Sequence, residues 1–472
     1  MQNNFADFII SHNSDKIAII DDTQTLTYRQ LGIYTRKFAK YLTDKGLSSG
    51  DRVVISMADS VEWVVGFLAC VYIGVIPVVV SSQINRKKLQ EITSVSKSKY
   101  MLQKDHVIIE KGSELDISYK FHDNEEALWL TSSGTTGKQK FIVHGYQSLP
   151  NYFHIIQSIF TVDDNSVIFS SPRLSFGYGL GVNIILGLGR HATIILTDKI
   201  LSHKNLALKI VQYKISHFFS TPVFLSSLVK NNIKNMDAIR LLKVITSSGE
   251  PISLILKQKF KELYNQNILN GYGLSEVLSY VCVQRPFEIQ DTDHRNIGKL
   301  FPLVSVEIRD SNNNICSRNT IGELYIQHPC SAMYYYNDMQ KTQDIFQTPW
   351  VKTNDLVYIN NHDELIYVGR KDNLVKINGM YVSIDEVESA ILEHDLIKEC
   401  LVYTSLNNLN MLELEAKIIS HNTLNAGDIR KYLKDKIESH KIPKRIWFTD
   451  TIAKTVTAKK IRNNIDTVFC NK

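Results

Sequence analysis

Leu31, Tyr34, Phe38 and Leu42 are apolar positions that recur every three or four residues, so the stretch opening at Leu26-Thr27-Tyr28 is predicted to be an amphipathic helix. Gly50-Asp51 then turns the chain into residues 52–57, an apolar run with the length of a strand. Residues 63–80 carry no charge over eighteen positions, the threshold length for a membrane span. Gly66, Gly74 and Pro77 interrupt them, however, and Val78-Val79-Val80 has the β-branched texture of a buried strand. The reading is a core helix ending near Gly74, then a parallel strand. The alternation continues with strands at 167–170, 192–196, 217–220 and 242–246 and a helix at 206–213. Such a rhythm over more than 200 residues implies a mostly parallel sheet covered by helices. From about residue 300 the texture changes. Short strands at 304–310, 322–327 and 364–368, separated by turns, imply a small antiparallel subdomain. After Gly369-Arg370-Lys371-Asp372 comes a compact α+β tail with helices expected at 384–393 and 426–440. The predicted fold is thus α/β: a large N-terminal domain over 1–371 and a small C-terminal domain over 372–472.

Composition narrows the class without naming a function. At 472 residues the chain exceeds one ordinary core, and 44% hydrophobic against 22% charged residues excludes a disordered or fibrous protein. The six cysteines form no C-x-x-C pair, which excludes an obvious zinc site and a disulfide framework. The N-terminus shows no basic segment followed by an apolar run, so no signal peptide and a cytoplasmic location are expected. Net charge is only +6, but between Arg430 and Arg462 eleven Lys/Arg face three carboxylates, Asp435, Glu438 and Asp450. That surface suits a phosphate-rich small molecule or an acidic protein face; aromatics are too few there for a nucleic-acid platform.

The densest chemistry is Leu130-Thr131-Ser132-Ser133-Gly134-Thr135-Thr136-Gly137-Lys138-Gln139-Lys140. Glycines, hydroxyls and ammonium groups in one loop make an anion cradle. It is not a Walker loop: the first glycine position is Ser132 and the residue after Lys138 is Gln139. Further local patterns follow in order: Ser247-Ser248-Gly249-Glu250-Pro251, Asn270-Gly271-Tyr272-Gly273-Leu274-Ser275-Glu276, residues 350–356, residues 368–388, and Ala453-Lys454-Thr455-Val456-Thr457-Ala458-Lys459.

Together these motifs resemble the adenylate-forming superfamily of acyl- and aryl-CoA ligases, peptide-synthetase adenylation domains and luciferases. The resemblance extends over nearly the whole chain. It implies that ATP, Mg2+ and coenzyme A are used: a carboxylate attacks the α-phosphate, pyrophosphate leaves, and a thiol captures the acyl group. It also implies that the C-terminal domain is mobile and turns about Asp372. Residues Thr131, Ser132, Ser133, Gly134, Thr135, Thr136, Gly137 and Lys138 would cradle phosphates, with Thr135 and Glu276 offering oxygens to magnesium. Ser248, Gly249, Glu250 and Pro251 would form the adenine-facing turn, Tyr272 would stack on the base and Ser275 would donate to the α-phosphate, within the motif Asn270, Gly271, Gly273. Asp355 would hold the ribose and Arg370 would make a second ribose or phosphate contact. The family's Thr-Gly-Asp reads Thr353-Asn354-Asp355, and Asn is the usual stand-in for Gly in a left-handed turn. Lys459, with Glu276 and Thr136, would be catalytic; Ala453 and Ala458 replace the family's Pro and Gly, which leaves Lys460 as an alternative register.

Residues 171–182 are similar to the acyl-pocket segment of benzoate-type CoA ligases, with Phe176 as gate and Tyr178, Gly179, Leu180 and Leu274 as walls. No Asp falls between Asn165 and Asp198, which disfavours an amino acid substrate. An aromatic acid and a short or medium fatty acid both remain open at this stage. So do coenzyme A and an acyl carrier protein as acceptor, with Arg173, Lys441, Lys444 and Arg445 as candidate contacts. A nucleotide-binding homologue without turnover is the reading outside the enzyme class.

Overall fold

The computed structural model describes residues 3–453 except 103, 105–106, 108–112, 134–138, 158, 200–202, 231–236, 251, 285–294, 378–379, 408–410 and 421–423. The helix anticipated from the 28–42 periodicity is Tyr28–Asp44. It starts at a capping box: Gln30 N–H donates to Thr27 Oγ1 at 3.2 Å and Thr27 N–H donates to Gln30 Oε1 at 2.9 Å. Leu31, Phe38 and Leu42 are its buried stripe. The uncharged segment becomes helix Val61–Tyr72, buried along its whole length, followed by strand Ile76–Val79. Twelve residues are too few to cross a bilayer, and among the described residues no helix is long and apolar enough to do so.

Two large sheets share one hydrophobic core. In the first, strands Leu269–Leu274, Val244–Ser248, His217–Ser220, Val167–Ser170 and Thr193–Ile195 lie side by side and parallel. In the second, Arg52–Ile55, Ile76–Val79 and Glu126–Ser133 are parallel, and Gln139–Gly145 returns antiparallel to Glu126–Ser133. This hairpin corrects the loop read over 131–140. Its ladder runs into the motif, pairing Thr131 with Phe141, Ser132 with Lys140 and Ser133 with Gln139.

The antiparallel strands are also less separate than expected. Ser305–Arg309, Gly322–Gln327, Trp350–Ile359 and Leu365–Arg370 form antiparallel pairs, but Asn296–Leu300 joins Leu365–Arg370 to the parallel strands in one continuous sheet. Beyond Arg370 lie a hairpin, Leu374–Ile377 with Met380–Ser383, and a three-stranded sheet, Ile397–Leu406, Leu412–Ser420 and Arg445–Phe448. These elements surround their own core, which includes Val382, Val387, Ile391, Val402, Ala416 and Ile429. Helix Ile384–Leu392 is close to its predicted span, whereas the second helix, Ala426–Lys434, stops well before His440. Its chain tightens at Asp435, where Lys436 and Ile437 N–H both turn back to Leu433 O at 3.0 Å.

Candidate active site

The parallel strands deliver three of the motifs from their carboxyl ends, where open α/β sheets bind ligands. Val244–Ser248 ends at Gly249, whose φ of +96° requires glycine; a side chain there would meet nothing within 4 Å, so the space beside the turn is open. Glu250 follows, and Pro251 lies outside the described residues. Leu269–Leu274 carries Tyr272, Gly273 and Leu274 forward, while its first residues serve the sheet. Asn270 is buried and its Nδ2 donates to Asn296 O at 3.5 Å. Gly271 leaves room for the Tyr280 ring, which an added Cβ would meet at 2.2 Å.

Asp355 is the most elaborately held group of the site. It is 4% exposed, and Asn354 before it has φ +60°, the left-handed turn expected from Asn in place of Gly. Tyr272 Oη donates to Asp355 Oδ2 and Tyr367 Oη donates to Oδ1 at 3.4 Å. Arg370, the ladder partner of Asp355, places Nη1 3.3 Å from Oδ1. Burial raises the Asp355 pKa, with Arg370 and Tyr272 pulling the other way. Burial, then Asp355 itself, pushes the Tyr272 hydroxyl well above the ordinary tyrosine range, so it stays a donor.

Glu276 sits in the short turn Ser275–Val277 that ends the same motif. Tyr335 Oη donates to its Oε1 at 2.5 Å. His144 Nε2 donates to Ser275 O at 2.8 Å, and burial pushes this histidine down to about 4, so it is neutral. Among the described residues no lysine or arginine pairs with Glu276, which leaves a half-buried carboxylate oxygen of the hard type that magnesium prefers. Of the phosphate hairpin, Thr131 spends its hydroxyl on Val79 O at 2.9 Å and Ser132 is half-buried on the strand. Gly134, Thr135, Thr136, Gly137 and Lys138 lie outside the described residues, as does the Ser133 side chain. Lys459 and Lys460 also lie outside them.

The acyl segment meets these strand ends from below. Tyr178 Oη hydrogen-bonds Thr246 Oγ1 at 2.6 Å, its ring stands edge-on to Tyr280 with centroids 5.4 Å apart, and burial raises its pKa to about 12. Phe176 and Leu274 are half-buried. Gly179 lets the short helix Gly177–Leu180 press on the preceding loop, since an added Cβ would meet Arg173 O at 2.2 Å. Leu180 is wholly buried in the main core.

Arg173 is half-buried. Its guanidinium donates to Thr197 O and to Lys199 O at 3.0 Å and stands 3.8 Å from Asp59 Oδ2 beside a cavity of about 220 Å³. Asp59 accepts from Leu174 N–H at 3.1 Å, and burial lifts its pKa to about 7 despite Arg173. An unfolded aspartate titrates near 3.9, so between about pH 4 and 7 the native state keeps a proton that the unfolded chain has lost. The stability from Asp59 is therefore present below about pH 4 and gone above about pH 7. In Asp59→Asn the melting temperature relative to wild type is expected to rise with pH over that window by on the order of 2–4 °C. A difference that stays flat from pH 4 to 8 would refute the shift.

In the C-terminal part, Lys441 is paired with Glu386 and Glu438 at 2.8 Å each, and Arg445 with Glu415 at 3.0 Å. Asp372 lies exposed in the turn Lys371–Asn373, 3.9 Å from Arg370 Nη2, while Lys371 reaches back to Glu323 at 2.7 Å. Sequence reasoning missed Tyr335 and Tyr367; neither stands in a motif, and the only signal was their nearness to Asn337-Asp338 and Gly369-Arg370.

Asp355 among Tyr272, Tyr367 and Arg370, Glu276 beside Tyr335, and the paired strands Glu126–Ser133 and Gln139–Gly145 make up the candidate site. The chain belongs to the AMP-binding enzyme family: the family model matches residues 9–336, and that of the AMP-binding enzyme C-terminal domain matches residues 386–459. Its curated relatives include acyl-CoA ligases. It is 26% identical to the benzoate–CoA ligase of Thauera aromatica, over 97% of this chain and 94% of that protein. It is 27% identical to gramicidin S synthase 2 of Brevibacillus brevis over 95% of this chain but only 11% of that protein. The structure of the anthranilate CoA ligase AuaEII in complex with anthranoyl-AMP superposes with a TM-score of 0.90 at 21% identity, covering 98% of this chain and 96% of that one.

Proposed function

We propose that this chain activates an aromatic carboxylic acid as its acyl-adenylate, with release of pyrophosphate, and passes the acyl group to the thiol of coenzyme A. The observation that carries the reading is the arrangement about Asp355. Tyr272 takes one lone pair of Oδ2, so that oxygen keeps another for a ribose hydroxyl, while Oδ1 is shared between Tyr367 and Arg370. Ser248 and Gly271 are ladder partners, so the open turn at Gly249 follows beside the strand that carries Tyr272, and adenine would lie there. The aromatic wall of Tyr178, under the same strand ends, and the aryl-acid specificity of the benzoate and anthranilate relatives favour an aromatic acid over a straight chain.

In this reading an acid oxygen bonds to the α-phosphorus, the bond to the bridging oxygen breaks, and its electron pair leaves with pyrophosphate. Charge growing on the α-phosphate is met by Ser275 and by Lys459, and the β- and γ-phosphates by residues 131–138. Magnesium, held by Glu276 and Thr135, would neutralise phosphate charge when bound. The boundary between the two domains falls at residues 371/372, and Asp372 is the hinge about which Lys459 is withdrawn before the thiol attacks. Carboxylate-dependent ATP–pyrophosphate exchange, run across benzoates and straight-chain acids, tests this: exchange with benzoates is expected to exceed that with straight-chain acids at least tenfold in kcat/KM for the acid, about the worth of a fitted ring. Exchange with no acid, despite ATP binding, overturns it. Thioester formed on adding coenzyme A alone separates this acceptor from a carrier protein.

A further inference from the structure

Two lysines from distant parts of the sequence meet beside Glu276. Lys140 lies on strand Gln139–Gly145, the returning arm of the hairpin, and Lys341 on helix Met339–Ile345. Strand register brings them together. Tyr335 pairs with Ile142 and Tyr334 with Val143, antiparallel, and Tyr336 N–H donates to Phe141 O at 3.1 Å, so the chain entering the helix runs past Lys140. Asp338 then caps the helix by accepting from Lys341 N–H at 3.1 Å. The Lys341 ammonium sits 5.0 Å over the Tyr335 ring centroid, the same tyrosine that donates to Glu276.

Register thus sets Lys140 beside the chain that leads into the Lys341 helix, and Lys140 is half-buried. Among the described residues neither is ion-paired with a carboxylate. Burial and then Lys341 draw the Lys140 pKa down to about 8, with Glu276 and Asp338 opposing. Stacking on Tyr335 accounts for Lys341 by itself, but not for a second ammonium half-buried against it. Like charges so placed repel, and an anion between them removes the repulsion.

Building on the adenylation reading, we propose that Lys341 and Lys140 form a two-ammonium clamp for the β- and γ-phosphates of ATP and for the pyrophosphate that departs, Lys341 being supplied from outside every motif of the site. The test uses the full chain and its Lys341→Gln and Lys341→Arg variants. In the exchange assay the KM for pyrophosphate is expected to rise about tenfold in Lys341→Gln, the loss of one charge-assisted contact. The KM for the acid should stay within about twofold, and Lys341→Arg should restore most of the pyrophosphate affinity. Calorimetric titration with magnesium pyrophosphate should show the same tenfold loss without turnover. Unchanged pyrophosphate KM and affinity in Lys341→Gln would overturn the clamp, as would a loss that tracks a lowered melting temperature and is not restored by Arg. Should wild type bind pyrophosphate in a Lys341-dependent way yet exchange with no acid, the clamp stands and adenylation falls. Exchange with Lys341-independent binding means the reverse.

Discussion

Lys459→Ala is expected to lower carboxylate-dependent ATP–pyrophosphate exchange by about 10²–10³-fold, the usual cost of one preorganised donor to developing charge. Lys460→Ala should stay within about threefold of wild type. In the proposed mechanism the charge that Lys459 would meet develops on the α-phosphate only while the acid attacks, so thioester formation from separately supplied acyl-adenylate should survive its loss. That split separates a catalytic lysine from one needed for folding. The sequence around it sharpens the test. Ala458 stands where the resembling family has glycine, and a positive φ there would cost Ala on the order of 1 kcal/mol and displace the loop. If Lys460→Ala collapses exchange and Lys459→Ala does not, the loop has shifted by one residue.

Asp355→Asn should raise the KM for ATP by about tenfold or more, since a hydrogen bond to a charged acceptor becomes a weaker one to an amide. The KM for the acid should be nearly unchanged. The variant keeps the shape of the side chain, and its ion-pair partner Arg370 is 42% exposed and can turn to water. The loss of stability should therefore be small, about 1 kcal/mol or less once solvent screening is counted. Steady-state kinetics at varied ATP and at varied acid, with a melting curve on the same sample, checks both parts. A fall in melting temperature without a change in the ATP KM would make Asp355 a framework residue that braces Tyr272 and Tyr367.

Local patterns carried far here where short-range physics decides the structure. The period of Leu31, Tyr34, Phe38 and Leu42 and the glycine break after the buried helix each act within a few residues, and each was readable. Asn354 was readable for the same reason, since left-handed backbone selects its residue type locally. Pairing between distant strands was not. The rung Asn296 with Ile366, which fuses antiparallel and parallel strands, has no local signal at either end. The hairpin 126–145 was hidden because hydroxyl-rich residues such as Thr131 and Ser132 look like loop until their partners Phe141 and Lys140 are known. The basic C-terminal stretch misled in part: Lys441 and Arg445 are answered by Glu386 and Glu415, well back in the chain. Tyrosines posed a subtler problem. In a chain with 22 of them, only the fold distinguishes Tyr335 and Tyr367 from those that fill the core.

The rung that pairs Asp355 with Arg370 is the last of its ladder, and Asp372 follows two residues later. Under the proposed function, a sugar seated on Asp355 would grip the fixed end of the pivot on which the C-terminal part hangs. Grip and posture are then linked quantities: if one orientation of the C-terminal part tightens Arg370 onto the nucleotide, the nucleotide must favour that orientation by the same free energy. Under that reading, departure of the adenylate would release the pivot.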